Sequence, residues 1–162
     1  MDTLTDALQH HTVLTIDKYA DAEAYARGER YERHEHEGNL ITSGGVQILW
    51  QLFSGESATA YSHDNAYVGV GDSTTASTSG MTDLQASSNK LRRAVQVGSP
   101  GRSLNFITYQ AVFSGSDANF AWNEFSVFND PSAGVMFNRA VSSGGTKTLG
   151  QVWVAAVTIY LF

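Results

Sequence analysis

One acidic residue, Glu124, stands inside the hydrophobic stretch from Phe120 to Phe128, between Trp122 and Phe125. A carboxylate buried among aromatic side chains can have a raised pKa and act as a general acid. Catalysis by paired carboxylates needs a second acid at a fixed distance, and none lies between residues 118 and 129. Because buried charges are normally paired, we expect Glu124 to bind backbone amides or Arg139 across a hairpin, in a structural role.

A second candidate for chemistry is the run His34-Glu35-His36-Glu37. Imidazole and carboxylate groups are zinc ligands, but the run lacks the HExxH spacing that sets two histidines on one helical face. In an extended segment, His34 and His36 would share a side. We nevertheless expect a solvated charge run and no metal site, and the other histidines suggest no site either: His10, His11 and His63.

Two glycine-containing segments resemble phosphate-binding loops only in part. Gly69-Val70-Gly71 follows a predicted strand, but Thr74 stands where a dinucleotide loop has its third glycine. Gly145-Thr146-Lys147-Thr148 has a threonine where a phosphate loop needs glycine directly before its lysine. The chain has no Gly-x-Ser-x-Gly motif and no cysteine. We therefore expect no cofactor and no enzymatic activity.

The composition predicts one domain and excludes several classes of partner. A chain of 162 residues is long enough for a single domain with a hydrophobic core. Its formal net charge of -6 disfavours nucleic-acid binding, which needs clustered lysine and arginine. The longest apolar run, 152–162, is about half a membrane span, and we expect no membrane association. The N-terminus has no basic segment followed by an apolar core, so no signal peptide is expected.

Residues 1–39 are predicted to form an extended and helical arm. Residues 1–16 show no sustained periodicity, whereas most residues from 17 to 37 are helix formers. Glu23 with Arg27, and Glu29 with Arg33, have the four-residue spacing that supports a helix. The apolar face of this helix is thin, so it needs a partner surface to persist.

A second helix is predicted at about 43–54. Thr42 or Ser43 can cap its N-terminus, and Gly55 can end it. Its apolar residues recur at helical spacing and are expected to pack on the β domain: Val46, Leu49, Trp50 and Phe53.

The rest of the chain reads as antiparallel strands. Alternating and apolar segments separated by turns predict about six strands, near 66–70, 91–97, 104–113, 119–129, 134–141 and 151–161. The fourth and fifth form a hairpin around the turn at 129–134. The predicted fold of residues 40–162 is therefore an antiparallel β-sandwich or barrel-like domain. Its packing is expected to depend on Glu124, Trp122, Phe125, Phe128, Arg139, Trp50 and Trp153.

Several segments, in this order, resemble a family of small structural proteins of tailed double-stranded DNA viruses. The resemblance extends from about residue 40 to the C-terminus and does not include the arm. The segments that carry it are Asn65–Thr74, Thr82–Ala86, Phe120–Asn129, Gly134–Arg139 and Gly145–Lys147.

The resemblance implies a virion protein without catalytic residues, made in the host cytoplasm. The leading expectation is a capsid decoration (cement) protein whose arm binds the major capsid protein of the assembled shell. Such a protein is expected to be a homo-oligomer, with a trimer favoured. The residues expected to bind the partner lie in the arm: Leu14, Ile16, Tyr19, Tyr25 and Tyr31.

Two other functions stay open. The hairpin is also similar to one in tail-fibre and baseplate attachment domains, so a tail module that binds a receptor or anchors a fibre is the alternative. In that case the partners would be tail proteins, and the loop from Asp72 to Gly80 would serve recognition. A carbohydrate-active tail enzyme ranks last, because it would require paired carboxylates on neighbouring strands.

Overall fold

In a computed structural model, which describes residues 9–162, the chain forms two five-stranded antiparallel sheets and two short helices. The strands are β1 (His10–Tyr19), β2 (Arg30–Glu37), β3 (Leu40–Ile41), β4 (Tyr67–Gly71), β5 (Lys90–Ala94), β6 (Gly101–Arg102), β7 (Phe106–Phe113), β8 (Glu124–Phe128), β9 (Asn138–Val141) and β10 (Val152–Leu161). The helices are α1 (Ala22–Ala26) and α2 (Ser43–Ser54).

The two sheets have the strand orders β2-β1-β10-β7-β6 and β3-β9-β8-β4-β5. All the pairings between these strands are antiparallel. The predicted mainly β fold, an antiparallel β-sandwich with short helices, is confirmed.

One continuous core joins the two sheets. Trp153, Ala155 and Val157 are buried on β10 of the first sheet and belong to the same cluster as Phe125 and Val127 on β8 of the second. These residues alternate along their strands, and alternate residues of a strand point to the same face. The two inner faces therefore pack against each other as in a β-sandwich.

The prediction of a separate arm over residues 1–39 is wrong for residues 10–37. Strand β1 pairs with β10 over its whole length, from His10 opposite Leu161 to Tyr19 opposite Val152. Its burial alternates, with Thr12, Leu14, Ile16 and Lys18 buried, because these side chains face the core. Residues 1–8 of the predicted arm lie outside the described residues.

The predicted helix over residues 17–37 is also largely wrong. Only Ala22–Ala26 are helical, and Arg30–Glu37 form the edge strand β2 against β1. Arg33 makes no helical pair with Glu29; its guanidinium donates to both carboxylate oxygens of Asp17 on the neighbouring strand, at 2.6 and 2.7 Å. These hydrogen bonds hold the pKa of Asp17 below its ordinary value. Pairs of opposite charges across β1 and β2 stabilise this edge of the sheet, where there are few apolar contacts.

Helix α2 has the predicted bounds and both predicted caps. The Thr42 hydroxyl oxygen accepts a hydrogen bond from the Gly45 amide, and Gly55 ends the helix in the left-handed conformation, with φ of 78°. The helix approaches the chain near residue 137 so closely that a Cβ at Gly45 would clash with the Phe137 carbonyl oxygen and lie 2.9 Å from its Cα. A glycine at this position therefore lets α2 dock.

Replacing Gly45 with Ala is expected to lower the free energy of unfolding by about 1–3 kcal/mol, because the added methyl overpacks a backbone contact. Alanine raises intrinsic helix propensity by about 1 kcal/mol, so a net loss would isolate the clash. Urea unfolding of the variant measures the effect. Gly80→Ala is the matched control, since a Cβ there meets nothing within 4 Å; equal stability of the two variants would contradict the close approach.

Candidate functional site

Glu124 is fully buried at the start of β8 and faces away from the core between the sheets. The next residue, Phe125, points into that core. Residues 75–86 cover the outer face of the sheet at this point, because their backbone contacts Glu124 and Arg139. The carboxylate therefore lies between a strand and a covering loop.

Backbone amides and one guanidinium saturate this carboxylate. The amides of Gln85 and Ala86 donate to its two oxygens, each at 2.8 Å. Arg139 donates from Nε at 2.9 Å, and its Nη2 lies 2.8 Å from the same oxygen without the alignment of a hydrogen bond. Both kinds of partner expected from the sequence, amides and Arg139, are present together.

Arg139 is as buried as Glu124 and extends the same network. Its Nη1 donates to the Thr75 carbonyl oxygen at 2.6 Å and to the Ser77 hydroxyl at 3.2 Å. On the other side, a Cβ at Gly71 would clash with the Glu124 carboxylate. The Glu124 carboxylate is enclosed, and this arrangement joins β8, β9 and the covering loop.

The tryptophan predicted to pack beside Glu124 lies at the centre of an aromatic cluster. The Trp122 ring lies 4.8 Å from that of Phe113, 5.0 Å from that of Trp153 and 6.2 Å from that of Phe125, with edge-to-face orientations. Its indole N–H donates to the Ala118 carbonyl oxygen at 2.9 Å. These residues are fully or almost fully buried, so the cluster is structural.

Phe128 belongs to a second, smaller core on the outer face of the β4–β8 sheet, with Leu84 and Met136. The Arg92 guanidinium lies 3.5 Å from the centre of its ring. Arg92 also donates to the carbonyl oxygens of Asp130 and Ala133, which fixes the hairpin turn to β5. Sequence reasoning did not identify Arg92 as a support of this turn.

The histidine run is extended, so His34 and His36 do share one face of β2, and both are half-buried. The His34 Nε2 lies 2.9 Å from the Ser142 hydroxyl, and burial lowers the pKa of this imidazole. Within residues 9–162, no group of three histidine or acidic side chains is arranged to bind a metal ion.

Lys147 belongs to the second segment that resembles a phosphate-binding loop in part. It is buried, and its ammonium group already has hydrogen-bond partners. Its ammonium donates to the Ser114 carbonyl oxygen at 2.7 Å and to the Asn119 side chain at 2.9 Å. Burial lowers its pKa. The lysine is thus one of the groups that hold the 114–119 turn.

The residues expected to bind a partner divide into two groups. Leu14 and Ile16 are buried in the core, so the prediction that they bind a partner is wrong. Tyr25 and Tyr31 are 38% and 51% exposed, and Tyr19 packs edge-to-face on Tyr25 at 5.2 Å. These three tyrosines lie where β1, α1 and β2 meet.

The prediction that Val46, Leu49, Trp50 and Phe53 pack on the β domain is wrong. These four residues, which we call the α2 face, point to solvent, with Trp50 64% and Phe53 87% exposed. The helix docks instead through Gly45 and Ile48. Large side chains cannot approach the Phe137 backbone as closely as glycine, so the glycine side of the helix turns inward.

Beside the α2 face, an apolar groove of about 290 Å³ opens at one end of the sandwich. Leu49 forms part of its wall, and Leu104 is a fully exposed member. Its buried members are Tyr61, Tyr109, Phe137 and Ile159. We call it the end groove. Arg102 is its one charged lining residue.

No protein-family model, no curated protein and no solved structure matches the chain. Within residues 9–162, no helix is both long and apolar enough to span a membrane.

Proposed function

We propose that this protein is a structural component of a tailed-virus particle and that it decorates the capsid shell. The observation that favours a binding protein is the α2 face, on which four large apolar side chains are exposed on a helix with no charged residue. An apolar patch of this kind on a soluble domain is typical of a surface that is buried in an assembly. The resemblance over residues 40–162 supplies the class of assembly.

The burial and contacts of Glu124, the candidate catalytic residue, agree with a structural role. Glu124 is fully buried, and its oxygens bind two amides and Arg139. A general acid must reach its substrate within hydrogen-bond distance, and Glu124 has no open approach. The acidic balance of the chain suits exposure outside a shell better than contact with packaged DNA.

We propose that the exposed tyrosines in residues 1–39, the predicted arm, contact the shell. Tyr25 and Tyr31 are rigid aromatic groups on the ordered β1–α1–β2 segment, and tyrosine is enriched in binding hot spots. Deleting residues 1–37 would remove β1 and β2 from the first sheet, so it would test folding instead of binding. A double substitution, Tyr25→Ser with Tyr31→Ser, keeps both strands.

The proposal is tested first by the number of copies of the protein in purified virions, measured by quantitative mass spectrometry. Decoration requires hundreds of copies. A handful of copies would contradict decoration and favour the tail-module alternative, and absence from virions would contradict both.

Binding to empty capsids then tests the tyrosines. We expect the double tyrosine variant to bind about tenfold more weakly, because aromatic anchors supply much of the binding energy of an interface. Val97→Ser is the control, since Val97 is 90% exposed and distant in sequence from the tyrosines. Unchanged binding of the tyrosine variant would show that the shell contact lies elsewhere.

The tail alternative depends on the loop from Asp72 to Gly80. Part of this loop is tied down, since the Thr75 carbonyl oxygen and the Ser77 hydroxyl accept from Arg139. The loop therefore has fewer polar groups that are free to bind a receptor than its composition predicts.

A further inference from the structure

We propose that the α2 face binds a second copy of this protein, inserting Trp50 and Phe53 into the end groove of its neighbour. This inference deepens the proposed function, because it names the partner of the surface on which that function rests. It follows from the fit between two features that lie side by side on one chain.

The inserting element is a pair of protruding aromatic side chains. Trp50 and Phe53 are exposed, and their rings contact edge-to-face with centres 6.3 Å apart. Such a contact favours one relative orientation of the two rings before binding, which lowers the entropy lost in the complex. Aromatic side chains are enriched at the centre of protein–protein interfaces.

The receiving element is the end groove. A volume of about 290 Å³ is close to the lower end of the range for pockets that bind small molecules, and it is enough to receive aromatic side chains. The hydroxyl groups of Tyr61 and Tyr109 in its lining are neutral at pH 7, and burial raises their pKa further. Apart from Arg102, the groove presents only uncharged side chains.

Charge supports a second copy as the occupant. Glu56 is the one charged residue between Leu40 and Ser62, and it lines the depression that also contains Trp50 and Phe53. Arg102 lines the groove. Both are exposed, and neither forms an ion pair within residues 9–162. The inserted element thus carries an acid at its edge, the groove carries a base, and the same chain has both.

The contact can form a closed assembly in which no inserting element or groove is left empty. Leu49 belongs both to the α2 face and to the wall of the groove, so the two elements are adjacent. Each copy offers one inserting element and one groove, and a dimer or a three-membered ring would fill all of them. The net charge of -6 per chain opposes association only weakly here, since the contacting surfaces hold one acid and one base.

Sedimentation velocity of the purified full chain over a range of concentrations tests this inference. We expect a dimer or trimer at high concentration that dissociates on dilution. Phe53→Asp in the inserting element and Leu104→Asp in the groove should each raise the dissociation constant about 30-fold or more. Both positions are exposed, so circular dichroism and urea unfolding should show folded proteins; Leu149→Asp is the control at another site that is 80% exposed.

A charge swap tests the pairing itself. Glu56→Arg and Arg102→Glu should each weaken association about tenfold, and the double variant should restore it, because the ion pair forms again with reversed sign. A monomer at all concentrations would overturn the inference, and so would an oligomer that neither aspartate variant weakens. Failure of the double variant to restore association would overturn the proposed pairing of Glu56 with Arg102.

The two proposals fail separately. A monomeric protein present in hundreds of copies per virion would refute self-association and leave decoration standing. A protein that self-associates as described but is absent from virions would refute decoration and leave the inference standing.

Discussion

Replacing Glu124 with Gln is expected to lower the free energy of unfolding by about 3–5 kcal/mol, the usual effect of breaking a buried ion pair from one side. The amide keeps the shape of the carboxylate but loses its charge, so the fully buried Arg139 remains uncompensated. The amide NH₂ also faces donors, since Gln85, Ala86 and Arg139 all donate to this position. Urea unfolding at neutral pH measures the change.

Arg139→Met and the double variant complete a thermodynamic cycle for this pair. Because either single change leaves one buried charge alone, the double variant should lose much less stability than the sum of the two single losses. Additive losses would show that the two side chains do not interact. A glycan-hydrolysing activity abolished by Glu124→Gln at unchanged stability would instead establish a catalytic role and contradict the structural one.

Replacing Trp122 with Ala is expected to lower the free energy of unfolding by about 3–5 kcal/mol, as for other large side chains removed from a core. Trp122 is fully buried, and its ring contacts Phe113, Trp153 and Phe125. Their strands belong to both sheets, so the cavity would lie between the two sheets. Thermal and urea unfolding, together with the near-ultraviolet circular dichroism of the aromatic cluster, measure the loss.

Trp50→Ala provides the matched control, because the same atoms are removed from a side chain that is 64% exposed. At protein concentrations low enough for a monomer, its effect should stay within about 0.5 kcal/mol. At high concentration it should lower the apparent stability, since association stabilises the folded state by mass action. Equal losses for the two variants in the dilute protein would contradict the different burial of the two tryptophans.

Local sequence patterns correctly predicted those elements in which a single feature, such as apolar side chains or a capping residue, determines the structure. The apolar residues on both faces of β10 predicted a buried strand, and Thr42 and Gly55 predicted the ends of α2. The pairing of Glu124 with Arg139 was predicted because the two residues lie on the two strands of one predicted hairpin and because a buried charge needs a partner. In each case the information lies in a short stretch of chain.

Strand β2 shows how a local rule can fail. Glu29 and Arg33 have helical spacing, yet Arg33 binds Asp17 on β1, and the β2 edge is held by such cross-strand charges. The burial of strand β1 alternates, but its sequence does not, because Val13 lies on the outer face and Thr12 and Lys18 on the buried face. Its partner β10 lies more than 130 residues away in the chain, so the pairing itself could not be inferred.

The sequence by itself determined a β-rich domain with a helix at 43–54 and a paired carboxylate at Glu124. Only the tertiary structure decided that the Gln85 and Ala86 amides complete the Glu124 site, and that the α2 face points outward. The polar residues of α2 share one stripe, Ser43, Gln47, Gln51 and Ser54, which leaves several apolar sides of the helix that could face the core. Docking followed the closest approach to the Phe137 backbone, which Gly45 permits and a larger side chain does not. That contact brings together residues far apart in the chain, and it leaves Trp50 and Phe53 exposed.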